Sequence, residues 1–153
     1  MSSYEVKGVI TVRKVRILVA DDMEPWRDYV SSMLQNEPSF EIICQVVDGM
    51  EAVLAAKQHQ PTIALLDIGL PRLNGLDVAR SIRELAPNTK IIFLSDHRDV
   101  EVVKAALAIG WGYILKADAG DDLVAAIHSA VRGERFLSRQ LAGLGVGRDP
   151  REK

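Results

Sequence analysis

Short apolar runs alternate with amphipathic stretches along most of the chain. Val15–Ala20 (VRILVA) reads as a strand that stops at the polar pair Asp21 and Asp22. Pro25 suits the first turn of a helix, because the N–H it lacks has no partner there. Trp26, Tyr29, Val30, Met33 and Leu34 then recur at helical spacing. Residues 40–47 read as a second strand with a turn at Asp48 and Gly49, and the Ala-rich residues 51–58 as a short helix closed by Pro61. Residues 63–67 (IALLD) form an unbroken apolar run ending in a carboxylate, the pattern of a strand buried on both faces of a parallel sheet. Pro71 and Gly75 break the chain, and Leu76, Ala79, Ile82 and Leu85 stripe the next helix. Residues 90–94 make a fourth strand ending at Ser95. Val100, Val103, Leu107 and Gly110 share one face of a fourth helix, residues 111–115 make a fifth strand ending at Lys116, and Leu123, Ile127, Ala130 and Val131 stripe a fifth helix. Five strands alternating with five helices predict an α/β, doubly wound domain with an open parallel sheet and right-handed crossovers. A second apolar stripe on the fourth helix (Val102, Ala106, Ile109) is read as a partner surface.

Composition narrows the class. The chain has 153 residues, 48% hydrophobic and 26% charged, which suits one globular domain and excludes disordered or fibrous architectures. No apolar run reaches the roughly 20 residues of a membrane helix, and the N-terminus lacks the apolar core of a secretory signal. The lone Cys44, read as a small packing group, excludes an internal disulfide and points to a reducing, cytoplasmic setting. Charge is uneven: residues 1–16 carry four Lys/Arg against one Glu, residues 132–153 carry six against three Asp/Glu, and the intervening body nine against seventeen. An acidic body with basic ends suggests a module whose termini meet something else.

In such a sheet the functional crevice lies beyond the carboxyl ends of the strands. The residues there are Asp21, Asp22, Asp67, Ser95 and Lys116. Clustered carboxylates resist ionising together unless a cation joins them. Oxygen ligands without nearby Cys or His point to Mg²⁺ or a similar ion. Three carboxylates, one divalent cation and one ammonium sum to zero charge, so the site could accept a phosphoryl group on a carboxylate nucleophile, with Ser95 donating to a phosphoryl oxygen. Capping of the first helix by Asp21 and Asp22, and of the fourth by Ser95, is the plainer alternative.

Residues 15–22 (VRILVADD), 65–75 (LLDIGLPRLNG), 91–95 (IIFLS) and 112–116 (GYILK) together resemble the receiver domain of response regulators. Residues 49–52 (GMEA) and 132–138 (RGERFLS) resemble its NarL/FixJ subgroup, whose members usually carry a helix-turn-helix output domain. The resemblance implies a flavodoxin-like (CheY-like) fold with strand order 2-1-3-4-5. It sets residues 15–133 as receiver, 1–14 as an N-terminal extension and 134–153 as a C-terminal linker and tail. It implies that Asp67 is the phosphoacceptor, supplied by a sensor histidine kinase. Asp22, Asp67 and the Gly69 carbonyl would ligate Mg²⁺ (or Mn²⁺), with Asp21 acting through water. Lys116 would pair with the phosphoryl group, Ser95 and Tyr113 would form the switch, and the helix four–strand five–helix five face would change state or join a homodimer. Asp96, His97 and Gly69 occupy positions that tune dephosphorylation. Ala117 stands where many receivers have the proline of a cis peptide.

Two other classes remain open at this point. An aspartyl-nucleophile phosphatase would need an acid where Gly69 stands, so the chain is read as a phosphoacceptor rather than an enzyme acting on external substrates. A receiver that docks without phosphorylation is the alternative, and Asp96, able to repel a phosphodonor, keeps it open. Val9, Ile10 and Val12 could extend the first strand or belong to a disordered arm. Residues 138–144 are read as a short linker helix. The Gly/Pro-broken stretch after Leu144 supplies no helix-turn-helix, so DNA contact is expected only from an output domain outside this chain.

Overall fold

A computed structural model describes residues 3–6 and 10–143, with side chains described from Arg13 onward. The elements are β1 (Ser3–Val6), β2 (Ile10–Arg13), β3 (Val15–Ala20), α1 (Glu24–Leu34), β4 (Phe40–Val46), α2 (Gly49–His59), β5 (Ile63–Leu66), α3 (Gly75–Leu85), β6 (Lys90–Ser95), α4 (Val100–Ile109), β7 (Gly112–Leu115), α5 (Ala119–Val131), β8 (Phe136–Leu137) and α6 (Arg139–Ala142). A 3₁₀ turn, Lys116–Asp118, joins β7 to α5.

The main sheet is parallel, in the order β4-β3-β5-β6-β7-β8. Its first five strands reproduce the predicted order 2-1-3-4-5. The sheet is covered on both faces, which is why β5 and β7 are apolar at every position. Alternation of side chains along each strand divides the core in two. Leu18, Ala20, Leu66, Ile91 and Phe93 meet α2, α3 and α4 on one face. Ile17, Val19, Leu65, Ile92 and Ile114 meet α1 and α5 on the other. Cys44 packs half-buried at the margin of the first cluster, and burial, followed by the nearby Glu51 charge, pushes its thiol pKa up.

Side-chain caps start three helices. Asp48 accepts from the Glu51 N–H at 2.9 Å, Asn74 from the Asp77 N–H at 3.0 Å, and Asp99 from the Glu101 and Val102 N–H groups. Pro25 lies in the first turn of α1, as its ring geometry suggests. Among the described residues no helix is long and apolar enough to cross a membrane.

Several local expectations need correction. Ile10 and Val12 do not extend the first long strand: β2 pairs antiparallel with β1 in a separate two-stranded sheet. Val9 lies outside the described residues. The stretch read as linker supplies a sixth strand, β8, parallel to β7, and the short helix α6, whose Leu141 is buried. Leu144 is not among the described residues. Tyr29, Leu85 and Val131, counted in helical stripes, are exposed. On α4, Ala106 is fully buried, and Val102 and Ile109 pack half-buried against the core, so the second stripe is partly covered by the core and partly open.

Candidate functional site at the carboxyl edge of the sheet

Strand register decides what meets at this edge. β3 lies beside β5 with Ala20 opposite Leu66, and the Asp67 N–H continues the ladder to the Ala20 carbonyl at 3.1 Å. Asp21 and Asp67 therefore leave adjacent strands at the same level. β7, two strands further along, delivers Lys116 at its end. The long lysine side chain spans the gap. Its Nζ lies 2.8 Å from Asp21 Oδ2 and 3.4 Å from Asp67 Oδ2, with the ammonium almost wholly buried. The Trp26 ring covers it from α1, 5.1 Å from Nζ to the ring centroid.

The three predicted carboxylates converge. Asp21, Asp22 and Asp67 each offer an oxygen, and these atoms all lie within 4.8 Å of one another. Asp21 is buried, Asp67 half-buried and Asp22 exposed, so the cluster opens to solvent on one side. Three hard oxygen donors of graded exposure suit a divalent ion such as Mg²⁺, which keeps several waters when bound.

Capping does not account for these residues. α1 begins at Met23 without a side-chain cap; Asp21 Oδ1 instead accepts the Met23 N–H at 2.9 Å, and Arg27 Nη1 holds the Asp21 carbonyl at 2.8 Å. Ser95 does not cap α4, since Asp99 does; its Oγ accepts the His97 N–H at 3.2 Å. Tyr113 is fully buried, and its hydroxyl donates to the His97 carbonyl at 2.8 Å. Burial raises its phenol pKa to about 12, so it stays a donor. Ser95 and Tyr113 thus grip the same loop residue from two sides.

Gly69 donates its N–H to Asp67 Oδ1 at 3.3 Å. Asp96 and His97 are exposed at the mouth, and a Cβ placed on Gly69 would lie 3.8 Å from His97 Nε2. The described residues contain no cis peptide bond, in keeping with Ala117 after Lys116.

Burial raises the Asp67 pKa first, with the Asp21 charge adding to it, while Lys116 and the Gly69 N–H pull it down; the net shift is upward. For Lys116 burial acts downward, but its contacts with Asp21 and Asp67 outweigh it and leave the ammonium above the ordinary lysine value. A raised Asp67 pKa means that a cation competes with a proton for the site. Mg²⁺ affinity is therefore expected to fall as pH drops through that raised value. Titration calorimetry in buffers of different ionisation enthalpy should show protons released on binding at acidic pH, and pH-independent affinity there would contradict this.

Two glycines and a tryptophan shape the site although the sequence marked none of them as part of it. A Cβ on Gly75 would lie 2.3 Å from the Asp67 carbonyl oxygen, so α3 can start this close to the end of β5 only with glycine. Gly49, read as part of a turn, is the first residue of α2; a Cβ there would meet the Leu73 carbonyl oxygen at 1.9 Å. Glycine breaking an apolar pattern was the available signal, and it reads equally as a loop. Gly75→Ala should displace Asp67 and weaken Mg²⁺ binding by about tenfold or more, a misplacement effect of the kind that costs catalytic sites much of their rate. Binding isotherms of the folded variant check it; unchanged affinity would show that the loop relaxes freely.

Comparison with known proteins agrees with this arrangement. The profile of the response regulator receiver domain matches residues 17–128. The chain is 31% identical over 129 residues to the transcriptional regulatory protein DegU of Brevibacillus brevis, covering 84% of this chain and 55% of DegU. It is 31% identical to the oxygen regulatory protein NreC of Staphylococcus carnosus, covering 83% of this chain and 59% of NreC. The chain thus spans little more than half the length of these curated relatives. The solved signal receiver domain of NarL from Mycobacterium tuberculosis superimposes with a TM-score of 0.75 at 31% identity, covering 80% of this chain and 99% of that one. A LuxR-family response regulator from Aurantimonas, at 24% identity and a TM-score of 0.80, shares the fold over 85% of this chain and 94% of its own. With the acidic cluster and its lysine at the carboxyl edge of a CheY-like sheet, the chain belongs to the response regulator receiver domain family, in its NarL/FixJ-like branch.

Proposed function

We propose that this domain is a phosphorylation switch in which Asp67 accepts a phosphoryl group from the phosphohistidine of a sensor histidine kinase. The observation that carries the reading is the Asp67 carboxylate, held at 3.4 Å by a buried lysine and within reach of Asp21 and Asp22. One Asp67 carboxylate oxygen attacks phosphorus, the P–N bond to the donor imidazole breaks, and the imidazole nitrogen keeps the electron pair and takes a proton from solvent. An acyl phosphate remains on Asp67.

Asp22, Asp67 and the Gly69 carbonyl would hold Mg²⁺, with Asp21 acting through water, and the ion would supply charge neutralisation for the phosphoryl oxygens. Lys116, whose ammonium already lies against Asp67, stabilises the same oxygens. Ser95 turns toward the phosphoryl group and Tyr113 follows, changing the face made by α4, β7 and α5, through which a homodimer could form. Asp96, His97 and Gly69 line the approach of attacking water and so set the lifetime of the acyl phosphate. The protein catalyses only its own phosphorylation and dephosphorylation and works in the cytoplasm. DNA binding, as the names of its regulatory relatives suggest for them, would need an output domain joined to this one.

Radiolabelled acetyl phosphate tests the reading. Label should enter only with Mg²⁺ present and should be released by hydroxylamine, as an acyl phosphate is. A protein that takes up no label, and whose NMR spectrum is unchanged by beryllofluoride with Mg²⁺, would instead be a phosphorylation-independent docking module.

A further inference from the structure

The segment after α5 folds back across the domain. β8 pairs with the free edge of β7, with the Phe136 N–H on the Trp111 carbonyl and the Ser138 N–H on the Tyr113 carbonyl, both at 3.0 Å. The approach is tight: a Cβ on Gly112 would lie 3.2 Å from the Phe136 carbonyl oxygen. Ser138 is fully buried, and its Oγ accepts the Leu115 N–H at 3.0 Å. Arg135 reaches the Leu107 and Gly110 carbonyls at the end of α4. Leu141, 1% exposed, packs in the same apolar cluster as Tyr113, Phe93, Val103 and Ala106.

One residue of this strap bridges the two loops that carry the switch chemistry. Gln140 Oε1 accepts from Arg98 Nη1 at 2.8 Å, and Gln140 Nε2 donates to Asp118 Oδ1 at 2.8 Å. Arg98 lies one residue beyond His97, whose N–H is on Ser95 and whose carbonyl is on Tyr113. Asp118 lies two residues beyond Lys116. The strap therefore touches the Ser95 loop through Arg98, the Lys116 loop through Asp118, and Tyr113 through the Ser138 N–H on its carbonyl.

We propose that the 136–142 strap is an internal clasp on the α4–β7–α5 face, closed in the unphosphorylated state and released when Asp67 is phosphorylated. The inference rests on the phosphorylation reading above. When Ser95 Oγ turns to donate to a phosphoryl oxygen, it leaves the His97 N–H. The loop of residues 96–99 then shifts, taking Arg98 from Gln140 and the His97 carbonyl from Tyr113. The strap loses its Arg98 tie, Tyr113, whose carbonyl holds the Ser138 N–H, loses its own anchor, and the strap loosens along the β7 edge.

Amide exchange followed by NMR tests the clasp. Beryllofluoride with Mg²⁺ should speed exchange at Phe136 and Ser138 by about tenfold, an ordinary size for coupling between two sites. Amides inside β3 should not respond, and the Asp67→Asn protein should show no effect. Coupling is reciprocal. Gln140→Ala, an exposed change that removes both bridging bonds, should speed strap exchange without ligand and tighten beryllofluoride binding by about threefold, the size expected for exposed hydrogen bonds. Shifts at residues 67–69 and 95–97 with unaltered strap exchange would overturn the clasp and leave the phosphorylation reading standing. No response at either place would remove both.

Discussion

Asp67→Asn protein is expected to take up no phosphoryl group from acetyl phosphate or from a phosphorylated kinase, while remaining folded. The amide is isosteric with the carboxylate but is no nucleophile at phosphorus, and Asp21 and Asp22 cannot replace it. The Asp21 oxygen is occupied by Lys116 at 2.8 Å, and Asp22 faces solvent rather than the ammonium. Stability separates loss of chemistry from loss of fold. The Asp67 pKa is raised in the folded protein, chiefly by burial, so folding favours its protonated form. The stability it contributes is present below its unfolded value and is lost as pH rises through the raised one. At neutral pH without divalent ions, the Asn variant should therefore be at least as stable as the wild type in urea, and its advantage should shrink in acid. Label on the Asn protein at the wild-type level would remove Asp67 as the acceptor.

Replacing Lys116 with Met should have the largest effect on stability. Its ammonium side chain is 2% exposed and bridges Asp21, itself buried, to Asp67. Methionine fills much of the stem's volume but leaves a buried carboxylate with no cation, a change that costs about 3 kcal/mol when one partner of a buried pair is removed. Mg²⁺ should recover part of that loss by supplying positive charge to the same oxygens. Because contact with the carboxylates leaves the Lys116 pKa raised, against the opposing effect of burial, its contribution is complete below the ordinary lysine value of 10.5. It is lost as pH climbs through the raised value, so wild-type and variant stabilities should converge only in strong alkali. Phosphorylation of the variant should also slow by about a hundredfold, the usual effect of deleting one donor to developing charge. Denaturation curves and labelling rates read the two effects separately; a variant as stable and as readily labelled as wild type would assign the ammonium no role.

Much of this molecule is written locally. Unbroken apolar runs such as IALL can only be strands buried on both faces, and the polar residue ending each one must emerge at the same edge of a parallel sheet. That is why Asp21, Asp22, Asp67, Ser95 and Lys116 group together from the sequence alone. The short strand β8 carried no such signal. Two residues of Phe136–Leu137 are too few to show a period, and their strand state comes from the open edge of β7 beside them. Pattern along the chain was equally silent on how far the second stripe of α4 is covered, where Val102 and Ile109 are half-buried. Periodicity gives the direction of an apolar face but not how wide a neighbour will cover it, and here the sheet and the neighbouring helices reach as far as Val102 and Ile109.

The roles of Gly75, Gly49 and Trp26 depend on distances across the fold, which no pattern along the chain contains. A glycine is required where α3 starts against the Asp67 carbonyl, and the indole lies over Lys116 only because α1 starts beside the end of β7. The sequence by itself determined the order and type of the elements in the main sheet and the chemical kinds gathered at its carboxyl edge, because alternation and strand direction are local and cumulative properties. Only the tertiary structure decided that Lys116 sits nearer Asp21 than Asp67, that His97 is the backbone joint between Ser95 and Tyr113, and that Gln140 ties the C-terminal segment to the loops after β6 and β7. Those arrangements join residues far apart in the chain, and their geometry follows from packing two helical layers on one twisted sheet.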